Sequence, residues 1–195
     1  MDIVCVQPGN CVAPKSTVYN FVIDLSDVDR GVYETLKLPV ALHPSESLEF
    51  MVTRVLAWIL EYAEGIAFSP GIGAPDEPTI SVKGLDGSFR TWIEIGSPDA
   101  DRLHRAAKAA DRVAVFCHRS EEVTYQELVR RPIFRGDEIS FYSFEGTFIA
   151  DLAKAIQRRN DLKISRSDQT LYVSIQDLAL ASSITERRLS STGVT

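Results

Sequence analysis

The order of the patterned segments constrains this chain more than any single motif does. Leu48, Val52, Val55, Ile59 and Ala63 recur at helical spacing and predict a helix. Its entrance is the HPSE run at 43–46, with Pro44 or Ser45 at the mouth and Gly65 as a fitting stop. Residues 68–76 follow as a loop dense in Gly and Pro. Residues 79–83 and 90–95 read as two strands around Asp86 and Gly87, a strong two-residue hairpin signal. A second helix opens at 98–101 and runs to about 112, with Leu103, Ala106, Ala107 and Ala110 inward. The apolar strand 113–117 follows at once. Helix, hairpin, helix and strand in this succession predict an α/β domain.

The flanks extend that frame. Residues 17–25 and 33–42 are rich in β-branched and aromatic types and predict an N-terminal hairpin turning at 28–31. Beyond 117 the pattern gives a helix or extended segment at 123–129, a strand at 138–144 and a helix at about 148–158. Short strands near 162–164 and 171–175 complete it. Residues 1–15 carry breakers at 7–10 and 13–14 and read as a flexible leader. Patterned structure begins only at Ser16, so Val12, from a GTG codon, is the expected natural start and 1–11 an extension. The intact mass of the native protein tests that expectation. From Ser182 the chain is rich in Ser, Thr and Arg, which predicts a frayed tail over 182–195 and one domain over 16–181.

Of the 195 residues, 45% are hydrophobic and 25% charged, as an ordinary globular core requires. The most apolar stretch, 50–66, is broken by Thr53, Arg54, Glu61 and Glu64, so no membrane span is expected. The first residues lack the basic and apolar regions of an export signal, which makes the cytoplasm the expected compartment. A net charge of −6 argues against general attraction to nucleic acid. Two clusters, Arg102, Arg105, Lys108 and Arg112, then Arg130, Arg131 and Arg135, read either as solvated surfaces or as a local basic face. Cys5, Cys11 and Cys117 have no metal-site spacing; Cys117, inside an apolar run, reads as a buried structural thiol.

Glu94 interrupts an apolar strand between Ile93 and Ile95. A carboxylate there must be solvated at a cleft, paired, or bound to a metal, because an unpaired buried charge is expensive. A second acidic segment, Asp76 and Glu77, precedes the first strand of the hairpin.

The segments ALHPSE (41–46), DEP (76–78), WIEIGSPD (92–99) and VAVF (113–116), at these spacings, resemble the YaeQ family over about 16–177. That resemblance implies an α/β PD-(D/E)XK nuclease-like fold: a mixed sheet flanked by helices, with an N-terminal β-hairpin and additional C-terminal strands. In active members of that superfamily carboxylates hold one or two Mg²⁺ ions, which activate water for attack on a phosphodiester. Carried onto this chain, Glu94 is the second acid, Asp76 or Glu77 the first, and Glu46 or Glu49 the helix-borne acid. Mg²⁺ is the implied cofactor and nucleic acid the implied substrate. The alternatives are a non-catalytic module binding nucleic acid or a protein partner through the same cleft, and a structural protein whose acids pair with its own arginines.

Two departures from the nuclease pattern stand out. Gly96 occupies the place of the motif lysine two residues after Glu94; that role would have to migrate to Arg102, Arg105 or Lys108. Arg can steady charge but not act as a base, whereas Lys108 can do either. If Asp86 and Gly87 are the loop residues, Glu94 faces Thr79, where the YaeQ pattern commonly has an acid. Glu77 then lies diagonally on the same face, roughly 7–8 Å away, and Asp76 points to the other unless Pro78 or a bulge re-aims it. His43 reads as a turn or capping residue, His104 as exposed and His118 as a strand end; their spacing builds no triad. Gly71 and Gly73 lack the context of a phosphate loop, and Trp58 and Trp92 read as core.

Overall fold

The structure, a computed structural model, describes residues 16–69 and 77–190. Strands β1 (Thr17–Asp27) and β2 (Val32–Leu42) form the expected hairpin, in register from Thr17 opposite Leu42 to Asp27 opposite Val32. Helix α1 (Leu48–Leu60) starts later than the sequence predicts. Residues 43–46 close a turn of their own, with the Glu46 amide donating to the His43 carbonyl, so Ser47 becomes the cap and accepts from the Phe50 amide at 3.1 Å. The helix also stops earlier, at Leu60, and Gly65 instead turns the chain into β3 (Ile66–Phe68) with φ +81°.

Strands β4 (Ile80–Lys83) and β5 (Phe89–Ile95) pair with Ile80 opposite Ile93 and Ser81 opposite Trp92, the predicted register. The loop is longer than two residues: the Gly84 amide donates to the Ser88 carbonyl, and Gly87 takes φ +82°. An irregularity at Val82 and Lys83 restores the register. Helix α2 (Ala100–Ala109) runs directly into β6 (Ala110–Cys117). Then come α3 (Glu121–Val129), a 3-10 turn at Gly136–Glu138, β7 (Ser140–Phe144), α4 (Phe148–Ala155), β8 (Arg159–Ser167), β9 (Thr170–Ile175) and β10 (Leu178–Arg188).

The ten strands of the described residues share one mixed sheet, in the order β2-β1-β8-β9-β10-β7-β6-β5-β4-β3. The tail expected to fray from Ser182 is instead most of β10, which pairs with β9 along one side and β7 along the other. Ser182 and Ile184 turn inward there while Ser183 and Thr185 face water. Its polar composition reflects one wet face rather than disorder. The predicted leader over 1–15 lies outside the described residues, as do Asp76, Gly71 and Gly73.

One core lies between the sheet and helices α1 and α4, and includes Phe21, Ile23, Ile93, Ile95, Phe116 and Phe144. The second core lies between β5, β6, β7 and helices α2 and α3, with Trp92, Leu103, Val113, Val115 and Phe141. The predicted inner face of α2 holds for Leu103, Ala106 and Ala107, while Ala110, expected on the helix, is the buried first residue of β6 because the helix ends at Ala109 rather than near 112. Among the described residues no helix is long and apolar enough to cross a membrane.

Candidate functional site

Successive β5 side chains alternate between the two cores. Ile93 and Ile95 pack beneath α1, while Trp92 faces α2. Glu94 shares the Trp92 face and is only 3% exposed. With helices over both faces, its carboxylate depends on protein partners, and the fold supplies three donors. Oε1 accepts from the Trp92 indole at 2.6 Å and from Arg102 Nε at 2.8 Å. Oε2 accepts from the Thr79 hydroxyl at 3.1 Å, so the predicted cross-strand pairing of Thr79 with Glu94 is present.

Arg102 reaches Glu94 because α2 begins beside the end of β5. Asp99 caps that helix and accepts from the Arg102 amide at 2.6 Å. Through Nη2 the same guanidinium donates to the Glu77 carbonyl at 2.7 Å. The Glu77 carboxylate turns elsewhere, accepting from Ser69 Oγ at 2.9 Å. Between β5 and α2, Gly96 takes φ +86° while its amide donates to the Phe116 carbonyl. A lysine at that position would be strained in this left-handed conformation, which gives a backbone reason for the missing motif residue.

A second ion pair stands opposite. Arg54 Nη1 lies 3.3 Å from Glu46 Oε1, both side chains nearly buried, and Nη2 donates to the Ala41 carbonyl at 2.6 Å. Burial pulls the Arg54 guanidinium below its ordinary value, and Glu46 opposes that pull. The other Glu46 oxygen accepts from the His43 amide at 3.0 Å, and His43 Nδ1 meets Ser45 Oγ at 2.7 Å. His43 therefore has the turn role read from the sequence.

These groups enclose a cleft of about 240 Å³ lined by Glu46, Arg54, Glu77, Thr79, Glu94 and Arg102, with Phe50, Pro78 and Ile95 as apolar wall. It sits at the carboxyl end of β5, the usual place for a ligand in an open α/β sheet. Of the residues singled out in sequence, Glu94, Glu77, Glu46 and Arg102 meet there. Arg105 and Lys108 lie exposed on α2 and do not line it. Glu49 pairs with Arg119 instead.

The described acids, Glu46, Glu77 and Glu94, do not fit a magnesium centre; Asp76 lies outside the described residues. Each of Glu46, Glu77 and Glu94 already accepts from protein donors, and an arginine lies against two of them. Among the described residues no three His, Cys, Asp or Glu side chains gather as a metal would require. The two basic clusters also disperse. Arg112 forks onto Glu61 beneath the sheet and donates to the Tyr142 hydroxyl at 3.2 Å. Arg135 caps α2 through the Ala107 and Ala110 carbonyls. Arg130 and Arg131 share a larger cavity with Asp99, Asp101 and Glu127.

His104 is half-buried and accepts from the Phe134 amide at 3.2 Å. Cys117 is fully buried, donates to the Arg119 carbonyl and is raised above its ordinary pKa by burial, all consistent with an inert thiol. Sequence reasoning missed Trp92 and Arg54 as site residues. The i, i+2 spacing of Trp92 and Glu94 on a strand carried the first signal; nothing local could have indicated the second.

The family model described as YaeQ protein matches residues 12–184 of this chain. The chain is 30% identical over 165 residues to the uncharacterised YaeQ protein of Salmonella typhi, covering 84% of this chain and 91% of that one. Against the uncharacterised YaeQ of Escherichia coli K12 the identity is 28% over the same length and coverage. The crystal structure of YaeQ from Pseudomonas syringae superposes with a TM-score of 0.81 at 31% identity, covering 88% of this chain and 95% of that one. YaeQ from Xanthomonas axonopodis pv. citri shares the fold, with a TM-score of 0.83 at 23% identity over 89% and 99% of the two chains. The cleft between α1, β5 and α2 is therefore that of a YaeQ family member, and this chain belongs to the YaeQ family.

Proposed function

We propose that this protein is a non-catalytic binding module on a PD-(D/E)XK nuclease-like fold, and that its ligand is a polypeptide segment rather than nucleic acid. The helix, hairpin, helix and strand order and the acid near the carboxyl end of β5 support descent from a nuclease frame. One observation carries the loss of catalysis: the buried Glu94 carboxylate is held by Arg102, Trp92 and Thr79, all of them donors. A carboxylate so engaged offers a metal little, and the adjacent guanidinium repels one. Among the described residues three acids and two arginines line the cleft, and the whole chain carries −6. Nucleic-acid binding runs on an excess of cations, so that balance favours a peptide partner.

The competing reading is a Mg²⁺-dependent phosphodiesterase, favoured by the convergence of Glu46, Glu77 and Glu94 on one cleft. Calorimetric titration of wild type and Glu94→Ala with Mg²⁺ and Mn²⁺, followed by nuclease assays on single-stranded, double-stranded and branched substrates, separates the two. The expected result is no specific metal binding and no cleavage that depends on Glu94. Metal binding and cleavage that both vanish in Glu94→Ala would overturn the binding-module reading.

A further inference from the structure

We infer that the Arg102 guanidinium is the resident cation of this cleft, filling the place a divalent ion would take, so that removing it opens a latent metal site. The inference rests on the non-catalytic reading above and goes further by naming the group responsible.

The oxygen atoms around the guanidinium carry the case. Arg102 Nε donates to Glu94 Oε1 at 2.8 Å and Nη2 to the Glu77 carbonyl at 2.7 Å. One anionic carboxylate oxygen and one peptide carbonyl, converging from different elements, are the kinds of donor that hard divalent cations bind. Here a planar cation joins them instead. Guanidinium suits the task because its donors are fixed in a fork and its hydration is weak enough to lose on burial. With the Trp92 indole on the same Glu94 oxygen, that oxygen has both acceptor positions used.

Two further features make the replacement coherent. Asp99 holds the Arg102 amide at the first turn of α2, so the guanidinium is delivered from a fixed backbone. Thr79 stands opposite Glu94, at the place where a second acid would add negative charge and require a stronger cation. Its hydroxyl donates to Glu94 Oε2 instead. Among the described residues Glu94 pairs with Arg102, and Glu46 pairs with Arg54 across the cleft.

The test is Mn²⁺ titration, followed by calorimetry and by electron paramagnetic resonance of free Mn²⁺, on the full chain. The variants are wild type, Arg102→Ala, Arg102→Ala with Glu94→Gln, and Arg102→Ala with Thr79→Asp. Wild type is expected to show only weak surface binding. Arg102→Ala gains one site at least about tenfold tighter than that background. Adding Glu94→Gln abolishes the site; adding Thr79→Asp instead tightens it by about a further tenfold.

Circular dichroism checks the fold of each variant. Arg102→Gln, which keeps a neutral donor beside Glu94, serves as a second route to the same gain should the alanine variant not fold. No gain in either folded variant overturns the inference and leaves the binding-module reading standing. A gained site that survives Glu94→Gln also overturns it, because the ion then binds elsewhere. Glu94-dependent Mn²⁺ binding by wild type overturns the inference, and together with Glu94-dependent cleavage it overturns the binding-module reading as well.

Discussion

The two halves of the sheet obey different rules. In β5, β6 and β7 both faces are covered, and burial runs without alternation: Trp92, Ile93, Glu94 and Ile95 are all buried, as are Val113, Ala114, Val115, Phe116 and Cys117. In β1 and β8 only one face is covered. Phe21, Ile23 and Leu25 alternate with exposed Val22 and Asp24, and Leu162 and Ile164 with exposed Asp161 and Lys163. On the one-faced half Asp161 and Lys163 point at water, whereas the buried Asp27 at the end of β1 is answered by Arg30 and Arg166. On the two-faced half Glu94 is tolerated only because Arg102, Trp92 and Thr79 answer it. A charge in a strand is thus informative about a site only once the covering of that strand is known.

Strand β10 joins the halves, so its loss is the most damaging way to break the comparison. Ending the chain after Ala181 removes every β10 residue paired with β7, from Ile184 to Arg188. The expected outcome is loss of cooperative unfolding, measured by circular dichroism and urea titration. A truncated chain that unfolds cooperatively with the wild-type midpoint would show the halves to be independent.

Core substitutions come next. Ile93→Ala, at a fully buried position on the two-faced half, is expected to cost roughly 3–4 kcal/mol. Val22→Ala, on the open face, is expected to cost under about 1 kcal/mol in the same urea experiment. Arg102→Ala then tests the charge rule: it should cost roughly 3 kcal/mol by leaving the buried Glu94 charge without its paired guanidinium, while Lys163→Ala stays within about 0.5 kcal/mol. Part of the Arg102→Ala loss should return when Glu94→Gln is added, since the buried charge is then gone. Equal costs at Arg102 and Lys163 would contradict the distinction between the halves.

The smallest effect is a pH dependence at the end of β6. His118 has a buried Nδ1 that has no hydrogen-bond partner among the described residues. Desolvation, aided by the Arg119 charge and opposed by Glu49, holds its imidazole below the ordinary value of 6.5. The unfolded chain therefore takes up this proton at higher pH than the native one. Stability from this group is complete above about pH 6.5 and declines as pH falls through the lower native value. His118→Gln should shrink the drop in urea midpoint between about pH 7.5 and about pH 5.5 relative to wild type. An unchanged drop would exclude His118 as a contributor.

Much of the fold was legible because local periodicity carries it. The β4–β5 register emerged correctly even though the loop is longer than two residues, because alternation on both strands and a compensating irregularity hold the same pairing. The inner face of α2 was legible for the same reason, from the spacing of Leu103, Ala106 and Ala107. The start of α1 was misplaced because the turn at 43–46 satisfies its own hydrogen bonds and hands the cap to Ser47. The frayed-tail reading of 182–195 failed over β10, whose polar outer face imitates an unstructured end. Arg105 and Lys108 were reasonable substitutes for the missing lysine by distance along the chain, yet helical geometry directs only Arg102 to the cleft.

Glu94 marks where the two kinds of information part. The sequence alone determined that a carboxylate would stand in an apolar strand opposite Thr79, and that Gly96 would follow in place of a lysine. Alternation, hairpin register and residue identity suffice for that, since all three are local. Only the tertiary structure decided what answers the charge. Trp92, Thr79 and Arg102 come from β5, the residue before β4 and a helix, and Arg54 with Glu46 arrives from the far side of the cleft. Such partners meet because packing brings separate elements together, and no periodicity along the chain encodes that meeting.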